Sequence, residues 1–118
     1  MKVYTCTLNN VDMVELLDIP WLDVTVKSGD KTFAPTWDFL MEYKKDKDEQ
    51  KYVDKFIPLM RESYKSNTAS WMELINKKEV ALACYCRAGQ FCHRHLLVDI
   101  LEKLCNHHGI NFERGGEL

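Results

Sequence analysis

The stretch from Glu79 to Cys105 reads EVALACYCRAGQFCHRHLLVDILEKLC and carries the strongest structural signal in this chain. Its first six residues, up to Cys84, are almost wholly apolar, which is typical of a strand covered on both faces of a sheet. A loop through Arg87-Ala-Gly-Gln90 follows, and then Cys92 to Cys105 repeats apolar residues at helical spacing. A buried strand that leads directly into an amphipathic helix predicts an α/β fold.

The rest of the sequence extends this unit in both directions. β-branched and aromatic runs predict the strands, and apolar residues three and four positions apart predict the helices. The predicted fold is a single Rossmann-like three-layer α/β domain over residues 1–118, with a short, mostly parallel sheet. The first two strands should form a parallel pair across a helix. The predicted strands are Lys2–Leu8, Leu22–Val26, Val80–Cys84 and Ile110–Glu113, and the predicted helices are Val11–Leu17, Trp37–Lys44, Glu49–Lys78 (kinked or restarted at Pro58) and Cys92–Cys105.

Composition and charge limit the class of protein and the kinds of partner that the chain can have. Its 118 residues are 46% hydrophobic and 29% charged, as expected of one globular domain, and no apolar run is long enough for a membrane span. The net charge is −2 without a basic face, which argues against duplex nucleic acid as a partner. Five cysteines without an export signal predict the cytoplasm, or the host cytoplasm for a phage-encoded chain. A homo-oligomer is compatible with this composition.

The segment from Cys84 to Arg94 concentrates the chemistry of the sequence. It joins the carboxyl end of the buried strand to the amino end of the last helix, where ligands bind in open α/β sheets and where unpaired N–H groups attract anions. Arg87 and Arg94 add two fixed cations. The pattern predicts a site for a small anion such as a phosphate.

Three interpretations of the thiols in this segment stay open. Cys84 fills the core like any small apolar residue, or it joins Cys86, Cys92 and His93 around a zinc ion, or a thiol at the helix amino terminus acts as a nucleophile. In the nucleophilic interpretation Cys92 is the catalytic thiolate and His93 carries its proton. We assign no metal ligand and no cofactor from the sequence.

A second group of polar residues follows the second predicted strand. Asp23, Lys27, Ser28 and Lys31 should lie at the same sheet edge as the thiol segment, because carboxyl ends of parallel strands share one edge. Phe33, Trp37 and Tyr85 are candidates for stacking on a base or a ribose, although aromatic residues near a loop more often cover the core. The predicted ligand-binding residues are Asp23, Lys27, Ser28, Cys84, Arg87 and Arg94.

Several motifs resemble a known family. The run Cys84…Cys92-His93-Arg94 at the start of a leucine-rich helix is similar to the signature of domain-of-unknown-function family 488. The small branch of that family found in phages and bacteria also resembles this chain at Asp23–Gly29, Phe33–Trp37, Met60–Tyr64 and Cys84–Cys86. The resemblance spans nearly the whole chain and implies the fold; the family has no assigned function.

The leading functional hypothesis is a domain that binds a small phosphorylated ligand of the nucleotide class, with cysteine-dependent catalysis if it is an enzyme. Arg87 and Arg94 would hold the anion at the amino end of the last helix, and Lys27 and Ser28 would hold the other side. The alternatives are a non-catalytic module, which sequesters a nucleotide or inhibits a host protein, and a small structural zinc protein.

Overall fold

A four-stranded parallel sheet with helices on both faces forms the domain. The computed structural model describes all residues, 1–118. The elements are β1 (Lys2–Thr7), α1 (Val11–Leu16), β2 (Trp21–Asp23), α2 (Trp37–Asp46), α3 (Glu49–Ser66), α4 (Thr68–Ile75), β3 (Glu79–Cys84), α5 (His93–His107) and β4 (Glu113–Glu117), with short 3-10 turns at Leu8–Asn10 and Lys31–Phe33. The strand order is β2-β3-β1-β4, and each neighbouring pair is parallel.

The strand β3 lies inside the sheet and is covered on both faces, as its apolar sequence predicts. Val80, Leu82 and Cys84 belong to the larger core, beneath the helices α2 to α5. Ala81 and Ala83 face the other way, into a small core that α1 covers. The alternation of side chains along β3 therefore divides the molecule into three layers, and the predicted Rossmann-like architecture is confirmed.

Strand pairing differs from the prediction in one respect. The first two strands are parallel but do not pair with each other, because β3 lies between them: Thr7 of β1 is in register with Cys84, and Asp23 of β2 with Ala83. The apolar strand β3, which follows both of them in the sequence, thus lies between two strands that are predicted to be direct neighbours. Burial on both faces favours the most apolar strand there.

Two predicted strand boundaries are wrong, each for a local reason. β2 ends at Asp23 rather than Val26, because the Asp23 carboxylate turns the chain by accepting the N–H of Thr25. The fourth strand is Glu113–Glu117 rather than Ile110–Glu113. The N–H of Ile110 bonds instead to the Cys105 carbonyl at 2.8 Å and closes the end of α5, where Gly109 has a φ of 69°.

The long helical middle of the chain breaks at Asn67, not at Pro58. Pro58 is exposed and lies within the continuous helix α3. Asn67 leaves helical geometry with a φ of −130°, and its carbonyl accepts the N–H groups of Ser70 and Trp71 that begin α4. Neither α3 nor any other helix has both the length and the apolar character required to cross a membrane.

The buried face of α5 is rotated relative to the predicted leucine stripe. Leu97 and Leu101 are buried as expected, whereas Leu96, Ile100 and Leu104 are only half-buried. Their place on the buried face is taken by two polar side chains of the first turn, His93 and Arg94, and by Val98 and Cys105. Helical spacing from Leu97 and Leu101 places His93 on this buried face, as observed. Arg94 lies at the flank of the stripe by the same spacing, and its complete burial depends on the partners that it finds there.

Arg94 is wholly buried and connects α5 to the rest of the sheet edge. Its guanidinium donates to both carboxylate oxygens of Glu117, at 3.3 and 3.2 Å. It also donates to the carbonyls of Cys86 at 3.1 Å and Arg87 at 3.4 Å. Glu117 in turn accepts a bond from Thr5 of β1. This network fixes the β4 strand and the loop after β3 around one buried charge.

Removal of Glu117 should therefore destabilise the fold strongly. Glu117→Ala leaves a buried guanidinium without its counter-ion, and we expect the free energy of unfolding to fall by about 3 kcal/mol. Urea denaturation followed by circular dichroism measures this change. The matched control is Glu113→Ala on the same strand: Glu113 forms only an exposed pair with Lys2, so its loss should leave the midpoint within error. Equal midpoints for the two variants would contradict the central role of the Arg94 pair.

Candidate functional site

The two predicted loops meet at the carboxyl edge of the sheet. Strand register places the ends of β2 and β3 side by side, since Asp23 is paired with Ala83. The N–H of Val24 continues the ladder to the Ala83 carbonyl at 3.1 Å. The loop after β3 then leads to Cys92, the residue that precedes the first turn of α5. The common edge predicted for both polar groups is therefore present.

The loop after β2 is organised by the Asp23 carboxylate. It accepts the N–H of Thr25 at 2.9 Å and the hydroxyls of Thr25 and Ser28 at 2.7 and 2.6 Å. Gly29 packs so closely on this turn that a Cβ would lie 2.4 Å from the Asp23 carbonyl oxygen. Asp23 and Ser28, predicted to bind ligand, thus bind each other, and their contact with a ligand stays a prediction. Lys27 is exposed at the tip of the loop.

Three metal-ligating or nucleophilic side chains converge behind this loop. The ligand atoms of Cys84, Cys92 and His93 all lie within 4.8 Å of one another, and the three residues are buried. The Sγ of Cys92 is 3.7 Å from the Nδ1 of His93. Nε2 of the same ring lies 2.6 Å from the Val24 carbonyl oxygen, which only accepts hydrogen bonds. Nε2 therefore carries the proton and Nδ1 presents a lone pair to the thiol.

The thiol of Cys86 lies beside this cluster, next to the other two sulfurs, and its environment differs from that of Cys92. Bonds donated by the Cys84 and Cys92 thiols, together with the nearby cations Arg94 and Lys44, lower the pKa of Cys86. The two neighbouring sulfurs and burial raise the pKa of Cys92. The helix terminus and the neighbouring arginine favour a lowered pKa at Cys92. Among the three sulfurs, however, the pKa of Cys92 is raised and the pKa values of Cys84 and Cys86 are lowered.

The two arginines of the segment have different surroundings. Arg94, predicted to clamp a ligand anion, is engaged by Glu117 and by loop carbonyls, and its contact with a ligand stays a prediction. Arg87 is exposed and only its carbonyl takes part in that network. Neither side chain lines the depressions that flank the thiol cluster. The cluster itself is therefore the centre of the site.

Two depressions open beside the thiol cluster and share one wall. One, the Phe91 depression, has a volume of about 390 Å³, and the other, the Trp37 depression, about 330 Å³. The shared wall consists of Leu40, Lys44, Cys86 and His93. The Phe91 depression is further lined by Tyr43, Lys47, Glu49, Tyr52, Gln90 and Cys92, and the Trp37 depression by Thr25, Val26, Lys27, Pro35, Cys84 and Tyr85.

Unpaired lysines and exposed aromatic rings distinguish the Trp37 depression. Lys27 and Lys44 are exposed and form no ion pair. Trp37 and Tyr85 are 50% and 57% exposed, unusual values for such large rings. Phe33, the third predicted stacking residue, is instead buried in the core with its ring centroid 4.7 Å from that of Trp71. Its stacking role is therefore wrong.

Lys44 lines both depressions, although its sequence context does not single it out. It begins a run of alternating charges from Lys44 to Lys55, a pattern typical of a solvated surface. A signal was present: Trp37, Leu40 and Lys44 are spaced three and four residues apart, so α2 presents all of them on one face. That face lines the Trp37 depression together with Cys84 and Cys86.

Aromatic packing fixes the loop that carries the thiols. The Phe91 ring stacks on Tyr43 of α2 with centroids 5.0 Å apart and meets Tyr52 of α3 edge-on at 5.3 Å. Phe56 of α3 lies edge-on to the His93 ring at 5.7 Å. These contacts hold the amino end of α5 against α2 and α3, and so the depressions have rigid walls.

Asp23 should act on the site by positioning the β2 loop. Asp23→Ala removes the acceptor of three hydrogen bonds, and we expect it to lower the free energy of unfolding by about 1–3 kcal/mol. Asp23→Asn is the matched control, because its remaining side-chain oxygen still accepts the hydrogen bonds of Thr25. Its midpoint of thermal denaturation should be close to that of the unmodified protein. A tolerated Asp23→Ala change would show that the loop does not depend on this carboxylate.

Comparison with known proteins identifies the family. A family model described as the active DUF488-N3 subclade matches residues 20–104, from just before β2 into α5, and so includes both loops of the site. No curated protein and no solved structure matches the chain. The match covers more than half of the chain and confirms the resemblance carried by the sequence motifs. The chain therefore belongs to the DUF488 family, in its active DUF488-N3 subclade.

Proposed function

We propose that the protein binds a small phosphorylated ligand of the nucleotide class in the Trp37 depression. The observation that carries this proposal is the combination of two exposed aromatic rings and two unpaired lysines around one concave surface. The depression has a volume of about 330 Å³, within the usual range for small-molecule sites. The lining matches the two halves of a nucleotide, a flat base and a charged phosphate.

The aromatic half of the site supports recognition of a base. Trp37 is the first residue of α2, and Tyr85 directly follows β3, so both rings are placed by ends of regular elements. Their exposure leaves ring faces open to a partner. Stacking of a base on an aromatic ring stabilises binding by about 1–3 kcal/mol and tolerates different bases. Trp37 and Tyr85 therefore supply affinity for the class of ligand.

The cationic half supports recognition of the phosphate. The chain as a whole has a net charge of −2, yet Lys27 and Lys44 converge on the depression without a carboxylate among its lining residues. Lysine binds phosphate as a mobile point charge, and a cleft lined by one sign of charge concentrates ligands of the opposite sign. Lys47, on the Phe91 side of the shared wall, extends the positive surface.

Thiol catalysis is a second candidate function. It rests on the 3.7 Å separation between Cys92 Sγ and His93 Nδ1, because a thiol whose pKa is raised by neighbouring sulfurs and burial needs an adjacent base to take its proton. Formation of a product that stops in Cys92→Ser and continues in Cys105→Ser would establish it. Stoichiometric binding without a product would instead identify the non-catalytic module.

The binding proposal is tested by calorimetric titration with a panel of nucleoside mono- and diphosphates. Trp37→Ala should lower the affinity for the tightest-binding member of the panel by roughly tenfold to hundredfold, the equivalent of one lost stacking contact. Lys44→Ala should weaken it by about tenfold through loss of a charged contact.

Two variants on the same helix serve as matched controls for this titration. Met41→Ala removes an exposed apolar side chain, and Lys45→Ala removes the neighbouring lysine, which lines neither depression. Both should retain the affinity of the unmodified protein. Equal losses from Lys44→Ala and Lys45→Ala, or no binding by any member of the panel, would overturn the proposal.

A further inference from the structure

We propose that Cys84, Cys92 and His93 form a binding site for a thiolate-preferring divalent ion, with zinc as the best match. The ligand atoms of these three buried residues lie within 4.8 Å of one another. They come from the last residue of β3, the residue that caps α5 and the first residue of α5. Regular structure therefore supplies all three ligands, as a site of fixed geometry requires.

The separation of the Cys92 and His93 ligand atoms agrees with tetrahedral coordination. Zinc lies 2.3 Å from sulfur and about 2.0–2.1 Å from imidazole nitrogen, so the two ligand atoms stand about 3.6 Å apart across a tetrahedral angle. Cys92 Sγ and His93 Nδ1 are 3.7 Å apart. An ion placed between them needs little movement of either side chain.

The hydrogen bond of His93 to the Val24 carbonyl prepares the ring to bind a metal. Since Nε2 donates to this oxygen at 2.6 Å, the proton is held on the far side of the ring and Nδ1 is free as a ligand. Metal-bound histidines usually donate their second nitrogen to a carbonyl or carboxylate in this way, which fixes both tautomer and orientation. The ring is further held by Phe56.

The donor set selects the class of ion. Two thiolates and an imidazole favour zinc and softer ions over magnesium or calcium, which prefer oxygen ligands. Cys86 neighbours both sulfurs, is half-buried and lines both depressions, so its thiol is the side chain best placed for the fourth position. Arg94 lies close enough to offset part of the thiolate charge.

An ion at this position would use both residues of the predicted catalytic pair as ligands. Metal coordination and nucleophilic attack by a free Cys92 thiolate are therefore mutually exclusive states of the cluster. The metal inference does not depend on nucleotide binding, because none of its three ligands is one of the lysines or aromatic rings on which the nucleotide proposal rests. Its test uses the metal alone, so that either proposal can fail without the other.

The test is a titration of reduced, chelator-treated full-length protein with Co²⁺, a spectroscopic substitute for zinc. We expect one equivalent to produce thiolate-to-cobalt charge-transfer absorption in the near ultraviolet and visible bands typical of tetrahedral coordination. Zinc should abolish these bands by displacement and should raise the thermal midpoint, because it binds only the folded chain. Elemental analysis of protein purified without chelator should find zinc.

Substitutions of single residues identify the side chains that bind the metal ion. Cys92→Ser and His93→Gln should each weaken Co²⁺ binding by more than about a hundredfold, beyond the effect of losing a residue that only orients a ligand. Cys105→Ser is the matched control, since Cys105 is also buried but lies at the other end of α5; it should retain the affinity. Folding of each variant is checked by circular dichroism.

Two results would overturn the inference. One is the absence of charge-transfer bands when Co²⁺ is added to the folded unmodified protein, an outcome that requires no variant to fold. The other is retention of those bands in both Cys92→Ser and His93→Gln, which would place the ion elsewhere in the chain.

Discussion

A guanidinium that is wholly removed from water must find acceptors for its charge and its N–H groups, and Arg94 finds them in separate parts of the chain. The Glu117 carboxylate comes from the last strand, and the carbonyls of Cys86 and Arg87 come from the loop after β3. A buried charge left without these partners would be very costly. The position of β4 and the path of the thiol loop are therefore coupled to one side chain of α5.

The same helix turn fixes the other side of the site through His93. Its ring bonds to the Val24 carbonyl and so joins α5 to the end of β2. Together, the two polar residues of the first turn connect the outer strands β2 and β4 to the central part of the sheet. The thiols lie between these two attachments. The cluster thus has a geometry imposed from both sides, which is the condition for a site that binds or reacts without first reorganising.

The site divides into an inner and an outer part with different chemistry. The inner part consists of buried sulfur and nitrogen atoms. The outer part, around the Trp37 depression, consists of exposed rings and lysines on a chain whose total charge is slightly negative. His93, Cys86 and Lys44 lie at the boundary. A ligand held by the outer part would rest beside the thiols, so binding and any chemistry at sulfur are physically adjacent.

The sequence by itself determined the α/β class, the buried strand at Glu79–Cys84, the helix that follows it and the segment in which the chemistry lies. These features are local, because apolar runs, helical spacing and the chemistry of a loop are written in consecutive residues. It also indicated the family, since its motifs are short and contiguous. The pairing of Asp23 with Ser28 is local as well, but the sequence pattern predicts ligand binding for both residues and not their contact with each other.

Only the tertiary structure decided which strands pair, which polar residues are buried and which thiol is best placed to ionise. β3 separates β1 from β2 because the most apolar strand is the most stable in a position that is buried on both faces. Which strand takes that position depends on segments that are far apart in the sequence. Arg94 is buried because Glu117, 23 positions later, returns beside it. Lys44 becomes a site residue because α2 packs over the thiol loop. Each of these outcomes depends on contacts between residues that are distant in the sequence, and such contacts cannot be predicted from patterns of neighbouring residues.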